Sequence, residues 1–154
     1  MDFQTLIEPD AIMPALKATS KRQVLQEMAA KAAAIVDRPE REILETILQR
    51  EKLGSTGVGN GIAIPHGKLA GVDRITGLFA RLSKPVDFDA LDDQPVDLVF
   101  MLLAPEGSGA DHLKALSKVA RLLRNPQTVT EIRSLQDPGS IYAAMLHGKA
   151  QNAA

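Results

Sequence analysis

Apolar positions along the chain fall first into a helical period. Val24, Leu25, Met28, Ala32, Ile35 and Val36 predict a helix over residues 20–37, with Ser20 as its cap. A second helix starts with Pro39 in its first turn and buries Ile43, Leu44, Ile47 and Leu48. Arg50 falls in its last turn, where a positive charge suits the helix dipole. The period then breaks. Leu53 to Gly61 is a loop by composition, and Gly61 to Ile64 is a short strand, because a residue before proline is driven to the extended region. Residues 74–83 alternate, with Thr76, Leu78, Ala80 and Leu82 on one face, until Pro85 ends the strand. Val96 to Ala104 is continuously apolar, as a central strand covered on both faces must be. Helical spacing returns over residues 110–124, with Leu113, Leu116, Val119, Ala120 and Leu123 inward and Pro126 as the stop. Short helices near 127–135 and 139–147 follow, and Lys149 to Ala154 reads as a frayed tail.

Helices, then strands, then helices predict an α/β single domain: a mixed sheet flanked by helices on its faces, occupying residues 1–148, with 149–154 as a C-terminal tail. Composition agrees. In 154 residues, 45% are hydrophobic and 24% charged, the balance of a globular chain with a real core. A net charge of −1, with one Tyr, four Phe and no Trp, argues against a nucleic-acid partner, which needs a basic surface and stacking rings. The absence of cysteine excludes disulfides and thiolate chemistry. An acidic residue near the N-terminus and no long apolar segment point to a cytoplasmic protein without membrane insertion.

The most pointed chemistry lies in Gly57-Val-Gly-Asn-Gly-Ile-Ala-Ile-Pro-His66-Gly67. A histidine follows a short apolar run, with proline before it, glycine after it and a glycine-rich loop ahead. A core histidine needs none of this. A histidine that hands a group to a visiting molecule needs a rigid backbone, an exposed ring and small neighbours. Imidazole titrates near about 6.5, so at neutral pH it carries a free lone pair. The glycines do not form a nucleotide loop: a dinucleotide fingerprint from Gly57 needs glycine where Ile62 stands, and a P-loop ending in Gly67-Lys68 needs a hydroxyl where Leu69 stands. They read instead as backbone that must come close to something, which marks Gly57, Gly59, Gly61 and Gly67 as candidates for partner binding.

Other clusters read as structural. Asp87, Asp89, Asp92 and Asp93 resemble a calcium loop only loosely, since Asp92 and Leu98 stand where glycine and glutamate belong; they form an acidic surface turn. No two of His66, His112 and His147 have metal-ligand spacing, so neither a metal nor a cofactor is expected. Ser55 has no acid placed to orient a base for it. His147, at the end of the last helix, is structural or solvated. His112 opens a helix directly after the central strand, where reaction sites gather and backbone N–H groups face anions. Arg50, taken alone, is a solvated helix-end charge.

The run Glu51-Lys-Leu-Gly-Ser-Thr-Gly-Val-Gly-Asn-Gly-Ile-Ala-Ile-Pro-His66-Gly67 resembles, with no mismatch, the phosphohistidine signature of enzyme IIA of the fructose/mannitol class in the bacterial phosphoenolpyruvate-dependent phosphotransferase system. With Arg50 before it and Lys68-Leu69 after it, the string most resembles the nitrogen-regulatory (IIA-Ntr) branch, and the absence of an attached IIB or transporter domain fits that branch. The resemblance implies a sheet of about five strands. It implies that His66 accepts a phosphoryl group on Nε2 from an HPr-like phosphocarrier (NPr), with His112 and Arg50 lining the site. It further implies a regulatory phosphocarrier acting on nitrogen and potassium physiology through downstream partners such as sensor kinases or potassium-transport regulators. A sugar-uptake enzyme IIA that passes phosphate to a IIB domain, and a non-phosphorylated interaction module, are the alternatives.

Overall fold

The computed structural model describes the backbone of residues 2–153 and the side chains of residues 2–148. Two 3-10 turns, Phe3–Thr5 and Pro9–Ala11, lead into β1 (Ile12–Leu16). Then come α1 (Lys21–Val36), α2 (Glu40–Lys52), β2 (Gly57–Gly59), β3 (Ile62–Ala63), β4 (His66–Leu69), β5 (Thr76–Val86), β6 (Val96–Pro105), α3 (Ala110–Arg124), α4 (Pro126–Ser134) and α5 (Pro138–Ala153). The strands form one six-stranded mixed sheet in the order β1-β5-β6-β3-β2, with β4 also paired to β6.

The central strand is the predicted one. Leu98 to Ala104 are all fully buried, because helices pack on both faces. On one flank of β6 runs antiparallel β5; on the other, β3 pairs with Leu98 and Val99, and β4 with Leu102 to Pro105, both parallel. β3 and β4 are thus one line of chain along β6, broken at Ile64-Pro65. Proline has no N–H to give a ladder, and the break leaves only its carbonyl to work: Pro65 O accepts from Leu102 N at 2.9 Å. The α1–α2 pair packs against β5 and β4, while α3, α4 and α5 pack on one another and against β6 and β1.

Ser20 caps α1 as expected, its hydroxyl accepting from Gln23 N at 3.1 Å. Several expectations shift. Pro39 is the N-cap of α2 rather than a first-turn residue, and Ile35 is exposed. Strand β5 runs through Pro85 to Val86; the proline is accommodated where pairing with β6 loses register after Arg81. The sequence reading also lacks β1, β2 and β4. β1 is an edge strand containing Pro14, with a register shift between Met13 and Leu16, so its pattern is irregular.

The largest correction concerns α3. Its buried face is His112, Ala115, Val119, Leu122 and Leu123, and Leu113 is 66% exposed. The helix is turned so that His112 and Ala115 face inward. His147 is exposed inside α5 rather than at its end, because the helix continues to Ala153. The side chains of the predicted tail, residues 149–154, lie outside the described residues. Among the described residues no helix is long and apolar enough to cross a membrane.

Candidate active site

His66 is the first residue of β4, facing Leu102 of β6 in register. The strand ladder and the Pro65 carbonyl fix its backbone. Gly67 fixes it from the other side. A Cβ at Gly67 would lie 2.7 Å from Thr46 Cγ2, so only glycine lets α2 settle this closely on β4. Arg50 lies one helical turn beyond Thr46 on the same face of α2. That packing therefore carries the guanidinium to His66.

Two hydrogen bonds define the imidazole. Nδ1 lies 2.8 Å from Ile64 O, a carbonyl that can only accept, so Nδ1 carries the proton. Nε2 then holds the lone pair, and Arg50 Nε donates to it at 3.3 Å. Arg50 is itself held by Nη1 donating to Gly54 O at 2.9 Å. The ring is half-buried. Burial, and secondarily the Arg50 charge, lower its pKa below the usual histidine value, opposed by the Ile64 hydrogen bond and by Glu51. The neutral, Nε2-unprotonated form is therefore favoured at physiological pH.

His112 meets His66 edge to face, ring centroids 5.6 Å apart and planes at 71°. It is 6% exposed, and its Nε2 is buried with no hydrogen-bond partner among the described residues. Burial, then the charges of His66 and Lys68, lower its pKa as well. A buried unpaired nitrogen is costly in a folded protein.

Sequence reasoning missed the buried carboxylate of Glu51. Its Oε1 accepts from Thr56 N at 3.1 Å and its Oε2 from Thr56 Oγ1 at 2.5 Å, and Lys21 Nζ lies 2.8 Å from Oε1. A signal was present: an acid in the last turn of a helix opposes the dipole and calls for another reason to be there. The loop glycines are also accounted for within the chain. A Cβ at Gly57 would meet Ala90 Cβ at 2.8 Å, and Gly59 faces the Asp92 carboxylate. Gly61, at φ +80°, faces Arg133, which pairs with Asp97 and donates to Asn60 O. The acidic turn is more than a solvated surface: Asp92 Oδ2 accepts from Asn60 N at 2.9 Å and so tethers the β2–β3 turn. Among the described residues no group of three or more His, Cys, Asp or Glu converges as a metal site.

Comparison with known proteins identifies the family. Residues 5–148 match the family model for the phosphoenolpyruvate-dependent sugar phosphotransferase system, EIIA 2. A nitrogen regulatory protein of Bradyrhizobium diazoefficiens is 57% identical over 145 residues, covering 94% of this chain and 95% of that protein. The crystal structure of nitrogen regulatory protein IIA-Ntr from Neisseria meningitidis superposes with a TM-score of 0.87 at 34% identity, covering 92% of this chain and 97% of that one. The Escherichia coli mannitol IIA, solved in complex with phosphorylated mannitol IIB, shares the fold with a TM-score of 0.77 at 18% identity, covering 92% of this chain and 99% of that one. The chain belongs to the type-2 enzyme IIA family of the phosphotransferase system, in its nitrogen-regulatory branch.

Proposed function

We propose that this protein is a cytoplasmic regulatory phosphocarrier in which His66 Nε2 accepts a phosphoryl group from the phosphohistidine of an HPr-like carrier (NPr). Its phosphorylation state then selects downstream proteins of nitrogen and potassium control, such as sensor kinases or potassium-transport regulators. One observation carries the reading: the Ile64 carbonyl holds the proton on Nδ1, which leaves the Nε2 lone pair beside a guanidinium.

Transfer is an in-line exchange. The donor imidazole leaves with the electrons of its N–P bond as the Nε2–P bond forms. Positive charge developing on the His66 ring is stabilised through Nδ1–H and the Ile64 carbonyl. Negative charge on the equatorial phosphoryl oxygens is met by Arg50, whose planar fork suits phosphate, and by a hydrogen bond from the unpaired Nε2 of His112. Phosphohistidine hydrolyses readily, so a carboxylate free to activate water would be harmful here. Glu51, the carboxylate near the ring, has both oxygens engaged. Exposed Leu113 beside His112, and exposed Leu53 beside Gly54, offer apolar contacts to a docking carrier. Gly57, Gly59, Gly61 and Gly67 act in docking by keeping the adjoining backbone compact. The phosphoryl group adds roughly −1.5 to −2 charges to this surface, enough to change partner choice.

The test is phosphorylation by a phosphorylated carrier. An acid-labile, base-stable label on the wild type, lost in a folded His66→Ala variant, supports the reading. An unlabelled wild type identifies an interaction module instead, and rapid loss of label to a IIB protein identifies a sugar-uptake component.

A further inference from the structure

The mechanism above uses Arg50 and the His66 tautomer, and both are set by backbone carbonyls of the loop and strand that follow α2. Two routes, one of hydrogen bonds and one through a short stretch of backbone, lead back from them to one side chain. In the first, His66 Nδ1 donates to Ile64 O, and Ile64 N donates to Thr56 O at 3.0 Å. In the second, Arg50 Nη1 donates to Gly54 O, two residues before Thr56. Thr56 is gripped by Glu51 through both its backbone N–H and its hydroxyl. Glu51 is fixed in turn by Lys21, whose ammonium also lies 4.9 Å from the centre of the Phe88 ring.

We infer that Glu51 is a positioning residue for phosphoryl transfer: through Thr56 its carboxylate holds both the Arg50 guanidinium and the Ile64 carbonyl in register with His66 Nε2. For its functional consequence this rests on His66 being the phosphoryl acceptor. The alternative role for Glu51, simple stabilisation of the fold, fits poorly with its site. A carboxylate at a helix C-terminus, buried with a lysine, contributes little net stability compared with an apolar residue there. A two-pronged grip on one loop residue gives geometric precision, and small displacements of positioning groups cost far more in rate than in stability.

Two variants test it. Glu51→Gln keeps the shape and loses the charge; Thr56→Val keeps the bulk and removes only the hydroxyl prong. The imidazole ¹⁵N spectrum of the unphosphorylated protein reports the His66 tautomer without any carrier. In either folded variant the Nδ1-protonated fraction of His66 is expected to fall, and phosphoryl transfer to slow by about one to two orders of magnitude at a given carrier concentration. Thr56→Ser, which retains the prong, is expected to keep the wild-type tautomer and rate. Wild-type tautomer populations in folded Thr56→Val and Glu51→Gln overturn the inference, whatever their rates. Should the wild type accept no phosphoryl group, the tautomer measurement still decides the positioning role, so the two failures are separable.

Discussion

Arg50 and His66 meet through a single lone pair. Arg50 Nε donates to His66 Nε2 at 3.3 Å while its Nη1 is held by Gly54 O, and the ring's other nitrogen is committed to Ile64 O. The cation thus waits at the atom proposed to be phosphorylated. In the proposed transfer it hands its hydrogen bond from nitrogen to phosphoryl oxygen as the new bond forms.

Arg50→Gln removes the charge at this point. Transfer to His66 is expected to fall by about a hundredfold, the usual consequence of deleting one donor to transition-state charge. The fold is expected to persist, because Arg50 sits at a helix end. Removing the cation also removes a cause of the lowered pKa, so His66 in this variant should titrate at higher pH than in the wild type. Single-turnover kinetics and an NMR titration check both. Parallel losses of rate and thermal stability would mark Arg50 as structural.

Protonation is linked to stability with a definite sign. The pKa values of His66 and His112 are both lowered in the fold, by burial first. Between those lowered values and the unfolded value of about 6.5 the unfolded chain binds more protons, so stability rises with pH. The contribution is complete above about 6.5 and is lost as pH falls through the folded pKa values. Urea unfolding at a series of pH values should show this slope, and His66→Gln should reduce it. An unchanged slope in that variant would contradict the assignment.

In the proposed mechanism, His112→Ala leaves the phosphoryl group without a contact from the buried Nε2. Transfer is expected to slow by about tenfold or more, the equivalent of one hydrogen bond to a charged group. Rapid-quench transfer rates, with the lifetime of the phosphoprotein measured alongside, test this; no change in either would make His112 a packing residue only.

Gly67→Ala drives a methyl into Thr46 Cγ2. Overpacking of this kind costs about 1–3 kcal/mol, and here it also pushes α2 and Arg50 away from His66. Thr46→Ser, which deletes the offending methyl, should restore both melting temperature and transfer rate in the double variant. Failure of that rescue would mean that the contact does not place Arg50.

How much was legible in the chain depended on the range of the interaction. Ser20 as a cap, and Leu98 to Ala104 as a strand buried on both faces, were readable because capping and hydrophobic period act over a few residues. Leu113 was misassigned because period alone cannot choose between adjacent helical faces when both carry apolar residues. In the fold α3 turns His112 and Ala115 inward and leaves Leu113 exposed. β1 escaped notice because an edge strand with Pro14 has no clean alternation.

The same division holds at the site. The amino-acid sequence by itself determined that His66 stands on a stiffened backbone between Pro65 and Gly67, since proline and glycine act on their immediate neighbours, and the unbroken signature around it pointed to the family. Only the tertiary structure decided which nitrogen carries the proton, that Arg50 reaches the other one, and that Glu51, Thr56 and Lys21 stand behind them. Those relations join residues from separate helices, loops and strands. They exist only once Thr46 has packed on Gly67 and β4 has docked on β6.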